Sequence, residues 1–144
     1  MRIRTFIAAL FLIIGFAGQP AHADGADSAV EKAIQGVISS QMAAFKIDDA
    51  SAAFSFAAPH IQAQFGNPDR FMKMVRQGYQ AVYRPTYVEF AHLAQGQNGE
   101  WAQHVIVQAP SGEVVMAVYP MIQDDNGNWR ISGVHLAPLP RKST

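Results

Sequence analysis

The hydrophobic period changes once along this chain, and that change limits the folds open to it. Up to Pro85 the apolar residues recur at three- and four-residue steps, whereas from Thr86 onward they alternate. Helices followed by strands, with no return to helical spacing, predict an α+β domain with its helices packed on one face of an antiparallel sheet.

In the helical half, Val30, Ile34, Val37, Ile38, Gln41 and Phe45 fall on one stripe that faces a core. Ser28 and Glu31 have the spacing of a capping box, which predicts a helix start there after a polar lead-in over residues 24–27. Asp48 and Asp49 close this helix and cap a second, with Ala50, Ala53, Phe54 and Ala57 on its inner side. Ala58-Pro59 interrupts it, Ile61 and Phe65 mark one or two further turns, and Gly66 ends them. Asn67 suits a cap and Pro68 the position after it, so another helix follows with Phe71, Val75 and Tyr79 on one face. Gly78 and Arg84-Pro85 mark its end, because a residue before proline is pushed out of helical angles.

Residues 87–94, 100–109, 113–123 and 128–136 predict four strands in a meander, with Gly- and Asn-rich turns between them. Val114 to Tyr119 is apolar at consecutive positions, so both faces of the third strand avoid water. One face meets the helices, and the other predicts a homodimer through the outer face of the sheet. The tail over residues 138–144 is polar and broken by proline.

The first segment has the three parts of an export signal: basic Arg2 and Arg4, an apolar run over residues 6–16, and small residues ending at Ala21-His22-Ala23. Cleavage after Ala23 is expected, leaving Asp24 as the first residue of a single domain over residues 24–137. The apolar run is short against the roughly 20 residues that span a bilayer. No membrane contact is expected after cleavage, and the expected compartment is the periplasm or the exterior.

Composition matters here for what it removes. The chain has no cysteine, so packing must replace the disulfides common in exported proteins, and a lipid-anchored form is not expected. Its 11 basic and 11 acidic residues give no excess charge for nucleic acid or an anionic membrane.

A set of residues then becomes familiar. Phe45, Asp48-Asp49, Phe54-Ser55-Phe56-Ala57, Phe65, Phe71, Val75, Tyr79, Tyr83-Arg84-Pro85 and the closing Gly127-Asn128-Trp129-Arg130-Ile131-Ser132-Gly133 resemble the domain of unknown function 4864 family. The order of elements is similar to the wider nuclear transport factor 2-like (cystatin-like) superfamily. That resemblance implies helices and a curved four-stranded sheet enclosing a cone, which serves as enzyme site, ligand pocket or plain core. In the family pattern a cysteine often follows the closing glycine; here the position is Val134, so no redox role is implied.

Four histidines follow the leader. By alternation His92 shares a face with Val88 and Phe90, His135 shares one with Trp129 and Ile131, and His104 lies on a more polar face; His60 follows the Ala58-Pro59 break. No pair has metal-ligand spacing, so no metal and no cofactor is expected. Asp124, Asn126 and Asn128 alternate like the opening of a calcium loop, but the glycine falls at Gly127 and no closing glutamate follows, which leaves a hairpin turn. The acidic pair reads as a cap, with Arg84 as an ionic partner. Tyr79, Tyr83, His92 and Tyr119 are the candidate pocket residues, since tyrosine hydroxyls at a cone mouth and one histidine supply hydrogen bonds and a base.

No nucleophile elbow, phosphate loop or metal set is present in the sequence. A non-enzymatic exported accessory domain for an apolar small ligand or a protein of the periplasm is therefore the favoured expectation. A small isomerase-, dehydratase- or hydrolase-like enzyme with a histidine base is the alternative, and a structural part of an oligomer is a third.

Overall fold

A computed structural model describes residues 23–141. The leader through His22, and with it Ala21 of the expected cleavage site, lies outside the described residues. Among the described residues five helices come first: α1 (Ala23–Lys46), α2 (Ala50–Ser55), α3 (Pro59–Phe65), α4 (Pro68–Gly78) and α5 (Gln80–Tyr83). Five strands follow: β1 (Tyr87–Gln95), β2 (Trp101–Gln108), β3 (Val114–Gln123), β4 (Trp129–Ile131) and β5 (His135–Pro138). The α+β order that the change of period predicts is the order observed.

The helix boundaries follow local chemistry with one exception. Asp49 caps α2 by accepting the Ala52 amide at 3.0 Å, and Asn67 caps α4 by accepting the Arg70 amide at 2.9 Å. Gly66 closes α3 at φ 78°, a left-handed conformation that a side chain disfavours. The exception is Ser28 with Glu31. Because α1 already begins at Ala23, this pair lies inside the helix, where intrahelical bonding leaves no free amides for a box to satisfy. Residues 24–27 are helical rather than a lead-in.

All strand pairings are antiparallel, in the order β1-β2-β3-β4, with β5 also on β3. Two irregularities shape this sheet. Between Phe90 and Leu93 the β1 register slips, so Ala91 and His92 form a bulge against β2. The buried amide of Gln103 fills the disrupted ladder: its Nε2 donates to the carbonyls of Ala91 at 3.1 Å and His92 at 3.3 Å. The last strand is also divided, and the expected single strand over 128–136 becomes β4 and β5. Met121 pairs with Ile131 but Val118 with His135, a slip of one residue beside Pro120, which has no amide to donate. Gly133 lies at that break, where a side chain would meet the Pro120 ring.

The core lies between the helices and the inner face of the sheet, in two clusters. Ile34, Ile38 and Met42 of α1 with Ala81 and Val82 of α5 pack on Val105, Val107, Ala117, Tyr119, Met121 and Ile131. Phe45, Ala53, Phe71, Met72, Val75 and Tyr83 form a second, purely helical cluster. Tyr79 packs against both. The helical half is pinned to the sheet edge where the Ala58 amide donates to Ile131 O and the Ile131 amide donates to Phe56 O, each at 2.8 Å. On the outer face Ile106, Met116 and Val118 alternate with the buried positions and are only half-buried.

Candidate functional site

The seam between the two clusters is not filled. A cavity of about 360 Å³ opens there, walled by Phe45 of α1, Ile61 and Phe65 of α3, Phe71, Met74 and Val75 of α4, and closed on the sheet side by Ile131 and Val134. The helical wall residues arrive by helical spacing, Ile131 comes from β4, and the β4–β5 break brings Ser132, Gly133 and Val134 to the cavity edge, with the Ser132 amide still donating to Pro120 O at 2.8 Å. Phe71 packs at 5.5 Å on Phe54 and edge-on at 5.8 Å on Phe65, so the aromatic wall is itself held in place. Tyr79 contributes at the end of α4. Among the lining residues there is no Lys, Arg, Asp or Glu; the polar ones are Gln41, Gln64, Tyr79, Ser132 and His135. Such a wall removes apolar surface from water and offers an ion no Lys, Arg, Asp or Glu as a partner.

Of the four residues chosen from the sequence, only Tyr79 borders this cavity. Tyr83 belongs to a polar cluster on the other side of α4 and α5. Asp48 turns the chain out of α1 with φ 55°, unusual outside glycine, which aims its carboxylate at three donors. The Tyr83 hydroxyl donates to Asp48 Oδ1, Arg84 Nη2 lies 2.9 Å from Oδ2, and Arg76 Nη2 lies 3.3 Å from Oδ1. The Arg84 guanidinium also covers the Tyr83 ring at 4.6 Å. The hydrogen bond from Tyr83 above all, with the hydrogen bond from Arg76 and the charges of Arg84 and Arg76, holds the Asp48 carboxyl below the usual aspartate value against the opposing cost of burial. The adjacent acids thus divide the work: Asp49 caps α2, and Asp48 ties the end of α1 to α4 and α5.

His92 lies on the outer face. Alternation alone places it beside Val88 and Phe90, but the bulge adds one residue and turns it to the side of His104, on which its ring stacks at 4.0 Å with 20° between the planes. The same logic moves His135: the slip at Gly133 sets it opposite Val118, in one row with His104, at the β4–β5 break where the residue also borders the cavity. His60 is exposed on α3. Tyr119 is fully buried in the core, and its hydroxyl has no hydrogen-bond partner among the described residues. Burial pushes that hydroxyl well above the usual tyrosine value.

The hairpin at Asp124 is closed by its own side chain. Its Oδ1 accepts the amides of Asn126 and Asn128, each at 2.9 Å, and Oδ2 lies 3.3 Å from Arg130 Nε. These bonds account for the carboxyl being held below its usual value, the Asn128 amide first. Among the described residues no three His, Asp or Glu side chains converge. No helix among them is long and apolar enough to cross a membrane.

The residue that matters at the cavity and was not singled out from the sequence is Gln41. It is 3 % exposed and lines the cavity, and its Nε2 donates to Ala53 O at 3.1 Å. The signal was present, because Gln41 is the one polar member of the apolar stripe on α1.

Residues 27–144 match the sequence model of a family described as Domain of unknown function (DUF4864). No curated protein and no solved structure matches the chain.

Proposed function

The chain belongs to the Domain of unknown function (DUF4864) family, and from that premise we propose that it is a non-enzymatic binding protein whose cavity takes an apolar small ligand. The observation that carries this reading is the unfilled seam of about 360 Å³, lined mainly by apolar side chains of the helices and by no Lys, Arg, Asp or Glu. A volume of that order suits one small organic molecule. Tyr79, Tyr83, His92 and Tyr119 occupy four different surroundings, so these four do not assemble one acid/base set. A neutral aromatic probe should raise the melting temperature of the protein. Val134→Trp, which fills the cavity from the β4–β5 break, should abolish that rise; a rise that survives this substitution places the ligand elsewhere.

The finer architecture belongs to the same proposal. Helices on one face of a sheet bent at the β1 bulge fit the nuclear transport factor 2-like cone, with the cavity as its interior. The protein acts after export, with the leader removed at Ala23 and Asp24 as the first mature residue; the intact mass of the protein from the periplasm tests this, and a mass that retains residues 1–23 contradicts it. The uncovered Ile106, Met116 and Val118 support a homodimer through the outer sheet face. Light scattering at micromolar concentration should give twice the mature mass, and a monomer removes the dimer.

A further inference from the structure

We propose that the cavity selects an uncharged ligand carrying a hydrogen-bond donor, and that Gln41 Oε1 is the acceptor that reads it. The inference rests on the binding reading above and narrows it to a ligand class. Gln41 shares its α1 stripe with Ile34, Ile38 and Phe45, which are at most 1 % exposed. An amide in such a place is costly unless its groups are bonded. Its Nε2 meets the Ala53 carbonyl at 3.1 Å, and because a carbonyl only accepts, this bond fixes which end of the amide is nitrogen. Among the described hydrogen bonds, no donor reaches Oε1. Nor is Oε1 sealed in as the Tyr119 hydroxyl is, for among the described residues the only buried side-chain nitrogen or oxygen atoms without partners are that hydroxyl and His104 Nδ1. Gln41 is the one buried polar residue of the lining, beside the more exposed Gln64, Tyr79, Ser132 and His135, so its oxygen is the buried acceptor presented to whatever enters.

The walls supply the second half of the selection. A carboxylate would face Gln41 oxygen to oxygen with no Lys or Arg in the lining, and an ammonium group would find no Asp or Glu. A hydroxyl or N–H on an apolar ring satisfies Oε1 while the ring fills the space among Phe45, Phe71 and Val75. A site built around a buried acceptor rejects an analogue that lacks the donor, because the acceptor then stays unpaired.

Binding of 4-ethylphenol, 4-ethyltoluene and 4-ethylbenzoate to the purified protein at neutral pH tests this directly. These probes share a body and differ only in carrying a donor, a methyl group or a negative charge. The phenol should bind about tenfold tighter than the hydrocarbon, and the carboxylate weakest. Gln41→Met should reverse the order of phenol and hydrocarbon while keeping hydrocarbon binding within about twofold, since a methionine preserves the apolar wall. Should this variant fail to fold, the wild-type series decides by itself. Equal binding of phenol and hydrocarbon, or tightest binding of the carboxylate, overturns the role of Gln41 and leaves the apolar cavity standing. Failure of all three probes to bind overturns the cavity reading and this inference with it.

Discussion

Asp48 gathers the Tyr83 hydroxyl and the Arg76 and Arg84 guanidinium groups onto one carboxylate, and the consequences of that fall in acid. A carboxyl held below its ordinary value binds a proton less readily in the fold than in the unfolded chain. Its contribution is therefore fully present above a pH of about 4 and is lost as the pH falls through the lower, folded value. Asp48→Asn keeps a residue that tolerates the left-handed turn but removes the charge. The melting temperature of this variant should be lower at pH 7, and its decline below pH 4 shallower than that of the wild type; two parallel curves would show that Asp48 is not the titrating group. Tyr119 makes the opposite case. A buried hydroxyl without a partner costs on the order of 1 to 3 kcal/mol, so Tyr119→Phe should stabilise the protein by about 1 kcal/mol in urea unfolding. Destabilisation would mean that the hydroxyl is bonded. Neither role is legible from residue type: adjacent aspartates at a helix end read alike, and what separates them is the positive φ at Asp48 alone.

At the scale of elements, periodicity and caps located the helices and strands, and apart from the start of α1 the misplacements cluster where the sheet is irregular. The bulge at Ala91 and His92 sends every later β1 side chain to the other face from strict alternation, which is why His92 stacks on His104. The sequence carries a trace of it, since the apolar phase runs Val88, Phe90 and then Leu93. A lone glycine inside a strand pattern, Gly133, is the matching trace for the break between β4 and β5. Gln103 is invisible in this sense, because its use depends on carbonyls that only the bulge exposes. Gln103→Met should lower stability by roughly 1 to 3 kcal/mol and speed hydrogen exchange in β1 around residues 91–93. Unchanged protection there would mean that the bulge holds without that amide. The helices, by contrast, depend on contacts within a few residues, and those are what a sequence displays.

For the whole molecule, the α+β plan follows from the change of period at Pro85, whereas the cavity does not. Its walls come from α1, α3, α4 and the sheet edge, elements far apart in sequence, and its volume is the part of the seam that Tyr79 and the phenylalanines leave open. No residue pattern announces an absence of packing. The proposal that this space exists to hold a ligand is best tested with the methionines as reporters: Met74 lines the cavity, Met72 and Met121 lie in the core, and Met116 is on the outer sheet face. With methyl-labelled methionine, titration with 4-ethylphenol should shift the Met74 resonance saturably while Met116 stays in place. A shift at Met116 alone, or no saturable shift at Met74, would contradict a ligand site between the helices and the sheet.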